Sequence, residues 1–280
     1  MGKAYIYNEL NISSPIKKVG LEKGVIDAPV REYLSRLSVV PSEKQINALQ
    51  DFYKTLSDNG IWDTIDFCYP MFGSVKDCAI GLKGDKLKIP DGAIYDNGLN
   101  LEFATNGRGI NKKGILIKQL LKNSNYYQNN LSLYYNSDLD FYGGDMYTLT
   151  SEVDNVENAD SFGLIGPVYS STVIRFDLLS NDDTISQPME KGIVTYVLSK
   201  IDKTASTYMN GKNKKVSIKD GISPCKYLGI NLASSSKDIK HLQETPINFY
   251  VGSWTASHTD EQVKILSDEI TKLKEALFEL

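Results

Sequence analysis

The sequence has few of the residues that disulfide-bonded, zinc-binding and histidine-dependent proteins need. It contains three cysteines, Cys68, Cys78 and Cys225, without Cys-x-x-Cys spacing, which argues against a disulfide framework and a cysteine zinc site. Its two histidines, His241 and His258, leave little material for a histidine metal site or a catalytic triad. We therefore expect reduced thiols that are mostly buried.

Long apolar runs and an excess of positive charge are also missing. No run of about eighteen apolar residues occurs, so we expect no membrane insertion. The amino terminus has no apolar core of a secretory signal, so we expect the chain to be synthesised in a cytoplasm and to stay there. Lys and Arg number 31 against 35 Asp and Glu, a net charge of −4. This balance provides no basic field for a nucleic-acid partner.

What the sequence does have is the composition of a folded chain that uses tyrosine heavily. Its hydrophobic fraction of 41% and charged fraction of 24% are ordinary for a globular protein. There are 17 Tyr against 9 Phe and 2 Trp, and tyrosine suits half-buried pleated surfaces and interfaces. The composition therefore excludes a chain that is disordered throughout.

The first forty residues are interpreted as an arm. Pro15, Gly20, Gly24 and Pro29 punctuate it, and one short helix is predicted between Ala28 and Leu37. The segment cannot bury a core alone, so it must lie against something else. It either folds onto the chain's own body or anchors the chain to a larger assembly.

Residues 41–75 are predicted to form a helical lead-in. Ser42 and Gln45 have the spacing of a capping box, and Gly60 ends the helix. An apolar stripe at helical spacing lies between them. It consists of Ile46, Leu49, Phe52, Tyr53 and Leu56.

From residue 76 onward, short runs of β-branched and aromatic residues are bounded by turn residues, which predicts a mainly β fold: an antiparallel sandwich or jelly roll. Asp202-Lys203 and Asn210-Gly211 predict two consecutive hairpin turns. The predicted strands are Leu99–Phe103, Leu131–Tyr135, Met146–Thr150, Phe162–Ile165, Thr172–Phe176, Ile193–Leu198, Ala205–Met209, Lys215–Ile218, Tyr227–Ile230 and Ile247–Val251.

A C-terminal helix over about 259–280 is predicted to close the domain at 76–280. Thr259 and Gln262 have the spacing of a capping box. Aliphatic residues then recur at steps of three and four, which favours packing along the chain's own domain, with self-association into a homo-oligomer as the alternative. This packing or oligomer seam consists of Val263, Leu266, Ile270, Leu273, Leu277 and Leu280.

Four stretches together resemble one family of proteins. They are Gln45 to Gly73, including Asn59-Gly60-Ile61-Trp62-Asp63 and Tyr69-Pro70; Ser132–Tyr135; Thr195 to Gly211, ending in Tyr208-Met209-Asn210-Gly211; and Asn248 to Ser253 before the terminal helix. In this order they resemble bacteriophage virion structural proteins that carry a concanavalin A-like, laminin G-type domain. The match covers roughly residues 42–280 and leaves the first forty residues unmatched.

The resemblance implies a jelly-roll sandwich in a virion component, either a head fibre or decoration protein or a tail-associated adhesin. Other capsid or tail proteins would be its partners, and the N-terminal arm would be the anchor. The domain would be lectin-like and would adhere to a host surface or glycan. Residues with the amphipathic and amide character of glycan contacts are Tyr126, Tyr127, Asn129, Tyr142 and Asp145.

Two chemical alternatives remain open. Glu152, Asp154 and Glu157 have the spacing of some sandwich-fold glycoside hydrolases, which use a pair of carboxylates, but polar loop residues surround them. We therefore predict a non-enzymatic protein without a cofactor. Turn residues with oxygen ligands leave calcium as a possible ion. The candidate ligands are Asp138, Asp140 and Asp145.

Overall fold

The computed structural model describes part of the chain. The described residues are 26–89, 91–100, 102–103, 115–120, 131–136, 147–150, 161–167, 173–178, 184–188, 193–199, 201–209, 212–217, 227–232, 241–242, 249–253 and 255–278. Within them, no helix combines the length and the hydropathy that crossing a membrane requires.

Three α-helices occur in the described residues, each near its predicted position. They are α1 (Ala28–Arg36), α2 (Glu43–Asp58) and α3 (Asp260–Phe278). The predicted capping box of α2 is confirmed, because Gln45 N donates to Ser42 Oγ at 3.3 Å and Ser42 N donates to Gln45 Oε1 at 2.8 Å. Gly60 follows this helix with φ 66°, a left-handed conformation that glycine adopts readily.

The strands follow in chain order, most of them at or near predicted positions. They are β1 (Phe67–Tyr69), β2 (Ile94–Tyr95), β3 (Leu99–Asn100), β4 (Glu102–Phe103), β5 (Ile115–Leu120), β6 (Leu131–Asn136), β7 (Tyr147–Thr150), β8 (Ser161–Pro167), β9 (Val173–Leu178), β10 (Thr184–Pro188), β11 (Ile193–Ser199), β12 (Thr204–Met209), β13 (Lys212–Ser217), β14 (Tyr227–Leu232), β15 (His241–Leu242) and β16 (Tyr250–Ser253).

Within the described residues the strands form two six-stranded antiparallel sheets, so the predicted mainly β class is confirmed. The first sheet has the order β1-β16-β6-β11-β12-β13, and the second has the order β10-β9-β8-β7-β14-β5. The pairs β15-β4 and β2-β3 form separate two-stranded sheets. Strand β10 of the second sheet contacts β12 and β13 of the first.

The core lies between the helices and one face of the first sheet. In an antiparallel sheet, residues directly opposite one another share a face. The register therefore places one row of side chains across all six strands of this sheet. The row consists of Cys68, Val251, Tyr134, Thr195, Tyr208 and Asn213. Its first three members belong to the buried core, and Asn213 ends the row exposed at the sheet edge.

Helix α3 covers this row together with α2, and it contacts β11 of the sheet. The described residues of the predicted seam, Val263, Leu266, Ile270, Leu273 and Leu277, are all buried in the chain's own core. Leu280 lies outside the described residues. Because a leucine buried in this way is not free for a partner, the structure agrees with packing along the chain's own domain.

The described part of the predicted arm belongs to the same core. Val30, Tyr33 and Leu34 of α1 are buried there, and the Gln50 amide of α2 contacts both the backbone N and the carboxylate of Asp27. Residues 26–37 thus lie against the chain's own body. The predicted anchor role stays a prediction for residues 1–25, which are outside the described residues.

The predicted lead-in also contributes to the first sheet, because β1 pairs with β16. Cys68, in β1, and Cys78 are buried and free, and burial raises the pKa of both thiols, that of Cys78 to about 12. Both therefore stay protonated at neutral pH, and their burial agrees with the sequence prediction. Cys225 is outside the described residues.

A buried carboxylate ties the segment after α1 to the loop after β1. Asp77 is 1% exposed and accepts hydrogen bonds from Ser38 N, Ser38 Oγ and Ser74 Oγ, each at 2.7 Å. Hydrogen bonds to a charged acceptor are stronger than neutral ones. This carboxylate therefore holds the arm segment on the domain.

We expect Asp77→Ala to lower the free energy of unfolding by about 2 kcal/mol, because it removes three hydrogen bonds to a buried carboxylate. Chemical denaturation of the full chain measures the change. Asp91→Ala, which removes an exposed carboxylate, is the control and should stay within about 0.5 kcal/mol of the wild type. Equal stability of the two variants would show that Asp77 contributes nothing.

Candidate functional site

The site residues predicted from the sequence lie outside the described residues. This holds for the glycan candidates, for the calcium candidates and for the three carboxylates of the hydrolase alternative. They are Tyr126, Tyr127, Asn129, Asp138, Asp140, Tyr142, Asp145, Glu152, Asp154 and Glu157. Among the residues that the structure does describe, no three His, Cys, Asp or Glu side chains are grouped to hold a metal ion.

A groove of about 290 Å³ lies where the edge of the first sheet meets the start of α3. The sheet contributes Ile193, Tyr208 and Asn213 to its lining. Helix α3 contributes residues spaced by three and four positions, which places them on one helix face. They are Asp260, Val263, Lys264, Ser267, Asp268 and Thr271. We name these nine residues the edge groove.

The two predicted hairpins build the sheet side of the edge groove. Lys203 has φ 48° in the turn between β11 and β12, and Met209 at the end of β12 pairs with Lys212 at the start of β13. This register sets Tyr208 directly opposite Asn213. Their side chains therefore stand next to each other on the face that α3 covers.

The predicted capping box builds the helix side. Gln262 N donates to Thr259 Oγ1 at 3.3 Å, and Thr259 N donates to Gln262 Oε1 at 3.0 Å, so the helix begins at Asp260. The Tyr208 hydroxyl donates to Asp260 Oδ1 at 2.6 Å, and Asn213 Nδ2 donates to the same oxygen at 3.4 Å. Burial and the Asp260 carboxylate raise the pKa of Tyr208, which keeps its hydroxyl protonated.

The remaining polar groups of the edge groove are paired more loosely. Lys264 Nζ lies 3.0 Å from Asp268 Oδ2, and both side chains are mostly exposed. Ser267 Oγ lies 3.4 Å from Thr195 Oγ1 of the sheet. The exposed Lys264–Asp268 ion pair is weak and exchanges readily with water or with a ligand.

The aliphatic side chains of Ile193 and Val263 line the edge groove and are both buried. They therefore form its apolar floor. A small apolar floor surrounded by carboxylate, amide and hydroxyl groups has the composition of a site for a hydroxylated molecule. Its polar atoms fix the orientation of such a molecule, and its apolar atoms meet C–H groups. The arrangement is thus suited to binding.

Two serines on neighbouring strands hold the segment that leads into α3. Ser132 and Ser253 are paired across β6 and β16 and are both buried. Ser132 Oγ donates to Ala256 O at 2.8 Å and accepts from His258 N at 2.8 Å. Ser253 Oγ accepts from Ala256 N at 2.9 Å. These bonds position the start of the helix and with it Asp260.

His258 completes this support from inside the core. Its Nδ1 lies 2.6 Å from the Tyr134 hydroxyl, and its Nε2 lies 2.9 Å from Thr64 Oγ1. Because the Thr64 hydroxyl donates to Ile61 O at 2.7 Å, Thr64 accepts from Nε2, and Tyr134 donates to Nδ1. The imidazole is therefore neutral, with both ring nitrogens paired. Burial lowers its pKa from 6.5 to about 4.

A second depression, of about 480 Å³, lies beside the β2–β3 hairpin. Its charged side chains are Lys76, Lys86 and Asp91, and the rest of its lining is aliphatic or glycine. It has fewer hydrogen-bonding side chains than the edge groove and no described aromatic ring. We therefore take the edge groove as the candidate site.

The sequence predicts the hairpin and the helix that form the edge groove, but it does not predict the contact between them. The Asn-Gly turn predicts a hairpin that brings Tyr208 near Asn213, and the capping box predicts a helix that starts near Asp260. The contact between them joins residues 52 and 47 positions apart in the chain. Local patterns contain no information about a contact at that separation.

Comparisons with known proteins give a likeness of fold. No family model and no curated protein matches the chain. Among solved structures, Trypanosoma rangeli sialidase in complex with sialic acid is similar with a TM-score of 0.51 at 9% identity, over 81% of this chain and 38% of that one.

Binding domains of bacterial toxins are similar at a lower level. Botulinum neurotoxin type C, whose cell entry depends on two ganglioside molecules, gives a TM-score of 0.48 at 13% identity, over 76% of this chain and 53% of that one. The binding domain of botulinum neurotoxin serotype D gives a TM-score of 0.45 at 14% sequence identity, over 74% of this chain and 52% of that one. The chain thus spans about half the length of these domains, and the sialidase likeness supports a mainly β fold.

Proposed function

We propose that this chain is a non-enzymatic structural protein of a bacteriophage particle and that its edge groove binds host-surface glycans. Its mainly β region would be a laminin G-type jelly roll on a capsid head fibre or decoration protein, with a tail-associated adhesin as the alternative location. The observation that carries the glycan half is the edge groove, where Tyr208, Asn213 and Asp260 stand around an apolar floor.

The chemistry of the edge groove favours binding over catalysis. Glycosidases need one carboxylic acid that gives up a proton and one free carboxylate. In the edge groove, Asp260 accepts from Tyr208, and Asp268 pairs with Lys264. Asp260 is thus held as a fixed acceptor, and Asp268 is an exposed carboxylate that can exchange its lysine partner for a hydroxyl group. The hydrolase alternative at Glu152, Asp154 and Glu157 remains a hypothesis without described geometry.

The virion half of the proposal is supported by the resemblance of the lead-in and the later strands to phage structural proteins. A particle displays many copies of such a protein. One edge groove of this size gives weak affinity, but many copies on one particle bind with avidity through high effective concentration. A homo-oligomer bound to other virion proteins through residues 1–25 would supply that multiplicity.

The glycan half is tested by applying the full chain, displayed in many copies on beads, to an array of bacterial cell-surface glycans. We expect Asn213→Ala to weaken binding about fivefold, because it removes about one hydrogen bond from an exposed position. Asn47→Ala, an exposed position on α2, is the matched control and should bind as the wild type does. Equal binding by both variants would exclude the edge groove as the glycan site.

A further inference from the structure

We infer that the edge groove takes neutral, hydroxyl-rich sugars and discriminates against sugars that carry a carboxylate. This inference rests on the proposed function and names the class of ligand for the same site. The proposed ligand class differs from the sugar in the similar sialidase structure, because the sialic acid bound there is an acidic sugar.

The first observation is the balance of charge in the lining. The edge groove contains two carboxylates, Asp260 and Asp268, and one ammonium group, that of Lys264. The ammonium lies 3.0 Å from Asp268 Oδ2, so the charges of Lys264 and Asp268 offset each other. Asp260 is the lining carboxylate without an ammonium partner in the lining, and the N-terminus of α3 offsets only part of its charge. A carboxylate on the ligand would therefore meet a like charge.

The second observation concerns donors and acceptors. Asp260 Oδ1 accepts from Tyr208 and Asn213, and among the described residues no donor contacts Oδ2. An ionised carboxylate accepts hydrogen bonds and donates none, so the second oxygen of the exposed Asp260 can accept from a ligand donor in place of water. Sugar hydroxyl groups supply such donors. A ligand carboxylate supplies only further acceptors.

The third observation is that Asp260 is held rigidly. The capping box fixes the start of α3, and the Tyr208 hydroxyl fixes the side chain at 2.6 Å. Asp260 therefore cannot turn away from an acidic ligand without losing the hydrogen bonds from Tyr208 and Asn213. A neutral sugar meets an acceptor that is already oriented, which lowers the entropic cost of binding.

Two matched pairs of sugars test the inference, because each pair differs by one carboxylate: glucose with glucuronic acid, and galactose with galacturonic acid. The isotope-labelled full chain is titrated with each sugar at low salt, and the backbone amides of Asn213, Lys264 and Ser267 report on the edge groove. We expect the acidic member of a pair to bind about fivefold to tenfold more weakly. We expect this ratio to shrink at high salt.

Asp260→Asn should bring the two members of a pair to nearly equal affinity, whereas Asp51→Asn on α2 should leave the ratio unchanged. Thermal unfolding of both variants checks that they fold. Tighter or equal binding of the acidic sugar in the wild-type edge groove would overturn the inference and leave the proposed function standing. If none of the four sugars shifts these amides, the edge groove is not a sugar site and both proposals fail.

Discussion

Leu266→Ala is expected to lower the free energy of unfolding by about 3 kcal/mol, and to do so equally at every protein concentration. Leu266 is 0% exposed and lies in the core between α3 and the first sheet. Removing the isopropyl group of its side chain costs the transfer free energy of those carbon atoms and leaves a cavity. Denaturant unfolding at several protein concentrations measures both features.

The concentration series distinguishes the two interpretations of the leucine seam. If the seam packs inside one chain, the loss of stability caused by Leu266→Ala does not depend on protein concentration. Glu275→Ala, an exposed position on the same helix, is the control and should change stability by less than about 0.5 kcal/mol. A loss in Leu266→Ala that vanishes on dilution would instead place this residue in an oligomer interface.

The second large effect is a loss of stability in acid through His258. Its pKa is 6.5 in its ordinary environment and about 4 in the fold, where burial disfavours the imidazolium and Asp66 opposes the shift. Between these values the unfolded chain binds a proton that the folded chain does not. Stability is therefore full above pH 6.5 and falls as pH decreases toward 4, by about 3 kcal/mol from this residue.

His258→Gln isolates this contribution, because glutamine does not titrate and its amide can still donate toward Thr64. We expect the variant to be less stable than the wild type at pH 7 but to lose about 3 kcal/mol less between pH 6.5 and pH 4. Denaturant unfolding at a series of pH values measures both slopes. Parallel slopes in the two proteins would show that His258 does not control the acid response.

Much of the local structure was predictable, and the reasons are local. The capping boxes at Ser42 and Thr259 and the Asn210-Gly211 turn act within a few residues, so the sequence pattern alone locates these helix starts and this hairpin. The strand runs after residue 130 are likewise bounded by their own turn residues.

Strands without local signals were not predicted. Strand β1 is three residues long and ends before Pro70, so it has no periodicity of its own and depends on pairing with β16. Strand β10 ends in Pro188 and lies at the edge of the second sheet, which is where a proline is tolerated. Strand β5 begins with three consecutive apolar residues, which do not distinguish a strand from a helix.

The candidate site was predictable only in pieces. His258 accepts a hydrogen bond from Tyr134, which is 124 positions away in the chain. This hydrogen bond indicates that His258 is a neutral residue with a structural role. Asp260 gains its role from Tyr208 and Asn213 across the sheet edge. These contacts follow from the packing of α3 on the first sheet, which no short pattern specifies.

The central claim is that the edge groove, and not another surface of the chain, binds the glycan. Backbone amide shifts of the labelled full chain, titrated with a neutral oligosaccharide selected on the array, test it most directly. We predict saturable shifts centred on Asn213, Asp260, Lys264 and Ser267. Shifts centred instead on Tyr126, Tyr127, Asn129 and Tyr142, with the edge groove unchanged, would contradict it.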